Sequence, residues 1–99
     1  MFSARVSEYQ GNVMLNMCDA ELLGRRIGQG GDDHTMHISE EYYGGEIISR
    51  EKASRLLKDS SIINMVGEEA VSLAVELGVG SKDGARIISD VPFLLIFKI

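Results

Sequence analysis

Ser61-Ile62-Ile63-Asn64-Met65-Val66-Gly67-Glu68-Glu69-Ala70-Val71-Ser72-Leu73-Ala74-Val75-Glu76-Leu77-Gly78 is the longest periodic run in the chain. Ile62, Val66, Ala70, Leu73 and Leu77 recur at helical spacing, with Ile63 and Ala74 widening the apolar stripe. Asn64, Glu68, Ser72 and Glu76 step down the opposite face. Ser60 or Ser61 is placed to cap the start, and Gly78 to stop the end. The spacing therefore predicts one long packing helix over 62–77. Gly67 inside it costs about 1 kcal/mol against alanine, which implies a backbone or a ligand passing close by. Asn64 is the other polar oddity, suited to bonding a neighbouring loop.

Upstream, Ser49 is a second capping residue, and Ile48 before it can staple against Ala53. Ala53, Leu56 and Leu57 form the stripe of a helix that stops near Asp59. At the N-terminus Phe2, Ala4 and Val6 alternate with Ser3, Arg5 and Ser7, and Val13, Leu15 and Met17 resume the alternation after Gln10-Gly11-Asn12. Period two broken by turn residues predicts a β-hairpin over 2–18. Asp19 to Gly24 suits one helical turn, Arg25 to Asp33 an exposed, mobile glycine loop, and His34 to Ile38 a short strand. Ala85 to Ile88 and Val91 to Ile99 are expected as closing strands, with Phe93 to Phe97 buried on both faces and Pro92 confined to a strand start or an edge. The expectation is a single α+β domain over 1–99: a mixed or antiparallel sheet of about five strands against two main helices.

Composition bounds the function. Apolar residues make up 44% and charged residues 25% of the chain, ordinary for a globular protein and contrary to the disordered class, and a net charge of −5 opposes phosphate-backbone binding over the whole surface. One cysteine, Cys18, allows no intrachain disulfide, and no secretory leader or 20-residue apolar run is visible. The expected address is the cytoplasm, with no membrane partner.

Candidate chemistry is sparse. The segment Gly28-Gln29-Gly30-Gly31 lacks both the Lys-Ser/Thr ending of a P-loop and the third glycine of a dinucleotide fingerprint, so no cofactor is expected. Asp32, Asp33, His34 and His37 contain metal-ligand atoms, but on a strand the two histidines face opposite ways, and no metal is expected. Cys18, before a helical turn, suits either a thiolate or a small core residue. Tyr42-Tyr43-Gly44-Gly45 is the most distinctive tetrapeptide, because aromatics beside bare backbone can stack a base or a peptide side chain.

Cys18-Asp19-Ala20-Glu21-Leu22-Leu23-Gly24, Tyr42-Tyr43-Gly44-Gly45, Asn64-Met65-Val66-Gly67-Glu68-Glu69-Ala70-Val71 and Val91-Pro92, in that order, resemble the small archaeal proteins of domain of unknown function family 424. The resemblance spans nearly the whole chain and implies an archaeal, cytoplasmic origin. It implies no reaction.

The leading expectation is a non-enzymatic binding module for protein or RNA in translation-related processes. Its ligand-binding residues would be Tyr42, Tyr43, Gly44, Gly45, Arg25, Arg26, Asn64 and Gly67. One rival is a small enzyme using Cys18 or the Asp32, Asp33, His34 and His37 segment. Another is a structural homodimer joined at the edge of the apolar C-terminal strand.

Overall fold

The computed structural model describes residues 1–28 and 36–98. Strands β1 (Phe2–Tyr9) and β2 (Asn12–Asp19) form the expected hairpin, Tyr9 facing Asn12 across Gln10 and Gly11. Both turn residues have left-handed φ, 51° and 81°, the two-residue turn whose twist matches that of the strands. A 3₁₀ turn (Ala20–Leu22) leads into β3 (Arg26–Ile27), which pairs with β4 (Met36–His37) as a small separate hairpin. Helix α1 (Glu40–Tyr43) and edge strand β5 (Glu46–Ile48) follow, then α2 (Arg50–Asp59), β6 (Ile62–Val66), α3 (Glu68–Glu76), a second 3₁₀ turn (Lys82–Gly84), β7 (Arg86–Ile88) and β8 (Val91–Phe97).

Six strands make one sheet in the order β5-β1-β2-β6-β8-β7. Among the described strands only β2 and β6 run parallel; every other pair in the sheet is antiparallel. The fold is α+β with a mixed sheet and two main helices, as expected, with one strand more than the sequence suggests. Alternation assigns the two faces. Phe2, Ala4, Leu15, Met17, Ile63, Met65 and Leu94 point into one core cluster with Ala53 and Leu57 of α2 and Ala70, Val71, Leu73 and Ala74 of α3. On the other face Cys18 and Val66 meet Ile27 and Ile38 of the small hairpin, with Tyr43 of α1 packed against them.

The long helix predicted over 62–77 is corrected. Residues 62–66 form a central strand, and the helix begins only at Glu68. Ile62, Ile63 and Val66 are β-branched and prefer a pleated surface; Ile63 and Met65 alternate inward as a strand requires. Gly67 separates the elements at φ 118°, ψ 154°, a region essentially closed to other residues. The glycine marks a break and not a tolerated helix interior.

The segment Tyr42-Tyr43 closes helix α1, started by Ser39, whose side chain accepts the Tyr42 N–H. One further expectation changes. The C-terminal strand is not buried on both faces: Leu94 is buried, while Leu95 is 53% and Phe97 65% exposed. Nothing covers that half of the second sheet face among the described residues. The caps at Ser49 and the end of α2 at Asp59 stand as expected.

Candidate functional site

The eight residues singled out from sequence are not gathered into one set. Asn64 sits in mid-sheet on the uncovered face, its amide donating to the Asn16 side chain of the neighbouring strand at 3.0 Å. Gly67 is occupied structurally: a β-carbon there would fall 2.3 Å from Asp19 Cγ. The Asp19 carboxylate is buried and accepts the N–H groups of Glu69 (3.1 Å) and Ala70 (2.8 Å), capping α3 from the end of β2. Arg25 and Arg26 are exposed on the small hairpin, Arg26 opposite His37. Tyr42 is exposed. Tyr43 sends its ring into the Cys18 cluster, and its carbonyl accepts the Ser3 hydroxyl at 2.8 Å.

Gly44 and Gly45 do stand at a cleft. They line a 360 Å³ hollow beside α1, on the sheet face away from α2 and α3, with Ser3, Arg5, Glu40 and Ile47. A 440 Å³ hollow lies toward the helices, lined by Ala4, Val6, Ile48, Lys52 and Leu56. Arg5, Gly45 and Glu46 belong to both. The two hollows thus lie on either side of a single strand edge.

That edge is partly open. β5 pairs with β1 only at Phe2, Ser3 and Ala4. Gly45 then passes so close that a β-carbon on it would meet the Ala4 carbonyl at 2.8 Å, and the chain leaves the sheet. The Met1 carbonyl accepts the Ala20 N–H toward β2. Hydrogen-bonding direction alternates along a strand, so Val6 and Glu8 aim their N–H and C=O groups outward. No strand among the described residues pairs there. Val6 is 50% exposed. Lys52 is bound to Glu46 at 2.7 Å, so the charged groups at the cleft largely offset one another.

The groups proposed for catalysis fall elsewhere. Cys18 is fully buried, and burial, reinforced by the Asp19 and Glu21 carboxylates, pushes its thiol up to about 12. A thiol so placed stays protonated and unreactive at neutral pH. Burial likewise raises the Tyr43 hydroxyl, with Cys18 adding to it. His37 is exposed on β4, and Asp32, Asp33 and His34 lie outside the described residues. Carboxylates of Asp19, Glu21 and Glu69 come within 4.8 Å of one another, but both Asp19 oxygens are engaged by the α3 cap.

Sequence reasoning missed Arg5, Val6 and Glu46. Alternation places Arg5 on the polar side of β1, but only the pairing register shows where β5 stops.

Residues 7–99 match the family described as Protein of unknown function (DUF424). The chain belongs to that family. No curated protein matches. The DUF424 chain also superposes on the crystal structure of an uncharacterized conserved protein from Methanopyrus kandleri, with a TM-score of 0.77 and 26% identity. The alignment covers 99% of this chain and 93% of the other. In this DUF424 member no helix among the described residues is long and apolar enough to cross a membrane.

Proposed function

We propose that this protein is a binding module for an extended protein segment, which adds as a strand beside β1 at Val6 to Tyr9. The observation that supports it is the unpaired stretch of β1 that begins at Val6, where two hollows meet on either side of Gly45. Strand addition draws affinity from main-chain hydrogen bonds and specificity from pockets that take alternate side chains. A strand laid along the edge runs up against Gly45 and projects successive side chains to opposite sides, so that the end nearest Gly45 has a hollow on each side. The cleft supplies Arg5 and Lys52 against Glu40 and Glu46. That balance suits peptide and not a phosphate backbone, whose binding depends on uncompensated cations. Protein is therefore favoured over RNA, with translation-related partners one setting for it.

The test is a display selection of random ten-residue peptides against the whole chain, followed by amide shift mapping. Selected peptides should perturb Val6 and Glu8 amides, and Val6→Pro, which deletes one of the two outward N–H donors, should weaken them about tenfold or more. Selected peptides that bind Val6→Pro as well as the native chain would sink the reading. So would salt-sensitive RNA binding with no peptide selected.

A further inference from the structure

We propose that two copies of this chain associate through the outer edge of β8, pairing Leu95 with Phe97 of the second copy about a twofold axis at Ile96. β7 covers β8 only at Val91, Pro92 and Phe93. Past Arg86 the lane beside β8 is vacated, because the chain turns away into the Lys82–Gly84 turn over the helix side of Leu94 and Ile96. The Pro92 carbonyl accepts Gly67 N–H and Lys98 N–H donates to Ser61, so even-numbered residues bond toward β6. Leu95 and Phe97 consequently direct their N–H and C=O groups outward, where no strand among the described residues receives them.

The register follows from that parity. In an antiparallel twofold pair, outward-bonding residues must face outward-bonding residues. Leu95 facing its own copy would put Phe97 of the second chain opposite Phe93, a place Arg86 already fills. Ile96 facing its own copy keeps every strand residue, Val91–Phe97, clear of the place Arg86 fills and matches Leu95 with Phe97 twice, for four main-chain hydrogen bonds. Leu95 and Phe97 share the uncovered face, so each pairing also lays an aromatic ring against an aliphatic side chain. An edge complementary to itself in this way closes as a dimer, with no open-ended growth.

Four hydrogen bonds and four apolar side chains make a small interface, below the roughly 1,000 Å² of a stable complex. The association is accordingly weak and concentration-dependent. It uses the sheet edge opposite the β1 cleft, so the two proposals succeed or fail separately.

Sedimentation velocity on the whole chain up to about 1 mM should show a monomer–dimer equilibrium. In exchange measurements the Leu95 and Phe97 amides should gain protection as concentration rises. Leu95→Glu sets a carboxylate against the electron-rich face of an aromatic ring and should weaken the dimer about tenfold or more. The double variant Leu95→Glu, Phe97→Lys sets opposite charges across the axis and should restore much of the loss. Both positions are exposed, so the fold tolerates the changes, which circular dichroism checks. A monomer throughout with both amides exchanging freely, a dimer indifferent to these substitutions, or open-ended oligomers would each overturn the proposal.

Discussion

Asp19 and Gly67 compete for one space: the carboxylate that caps α3 lies where a side chain on Gly67 would begin, 2.3 Å from its ideal β-carbon. The end of β2 and the start of α3 are locked together by a residue pair 48 positions apart in sequence. Gly67→Ala must both strain the backbone, by about 1–3 kcal/mol, and displace a cap worth about 1 kcal/mol. A loss of about 3 kcal/mol is expected, read as a fall in Tm on the order of 15 °C. Asp19→Ala removes the clash, so the double variant should be more stable than the sum of the two losses implies, by about 1 kcal/mol.

Burial raises the Asp19 carboxyl above its ordinary value of 3.8, against the lowering effect of the two backbone N–H groups it accepts. The folded state thus holds a proton that the unfolded chain has already released. Its contribution is fully present below about pH 4 and is lost as pH rises through the elevated folded value. Asp19→Asn should flatten that limb of the stability profile while keeping one acceptor for the cap. Denaturant midpoints between pH 3 and 7 on both proteins test this; identical slopes would contradict it.

Cys18 behaves in the same sense at the other end of the scale. Stability should decline as pH rises above the ordinary thiol value of 9.0 toward about 12. At neutral pH the native thiol should react with maleimide at least about a hundredfold more slowly than in urea, because reaction waits on opening. Rapid stoichiometric labelling of the native protein would refute the buried assignment.

Lys98 reaches back to the C-terminus of α2, donating to the carbonyls of Leu57 (2.6 Å) and Lys58 (3.0 Å). A cation there satisfies unpaired carbonyls and complements the helix dipole. Lys98→Met should cost about 1 kcal/mol, measured as a shift in urea midpoint. Lys98→Arg should recover part of it.

Much of the architecture was legible because local chemistry and tertiary packing agree. The alternation from Phe2 to Met17, the Ser49 cap and the Ala53-Leu57 stripe each specify one element. Residues 61–77 were not legible in this way. Ile62, Val66, Ala70, Leu73 and Leu77 satisfy a helical period by coincidence, since a strand followed by a helix happens to place apolar residues at compatible intervals. Gly67 is anomalous in any helical reading and implies a close neighbour, but a backbone or a ligand rather than a side chain, and nothing local marks it as a break. What displaces it is the carboxylate of Asp19, a long-range contact that no local window contains. The candidate cleft is half legible: Gly44 and Gly45 stand out in the sequence, whereas Arg5 and Val6 become edge residues only because β5 is short.

The single parallel seam between β2 and β6 has a kinetic consequence. Each side of it is an antiparallel trio, β5-β1-β2 and β6-β8-β7, containing a two-residue hairpin that closes locally. Joining the trios requires residues such as Asn16 and Asn64 to meet across the whole intervening chain, a closure whose entropy cost grows only logarithmically with length but is met all at once. Phe2 with Ile48 and Ile62 with Phe97 are closures of the same order, so pairing of distant strands dominates the route to the native state, and the chain belongs with the slower mixed folders, well behind helical bundles of similar size.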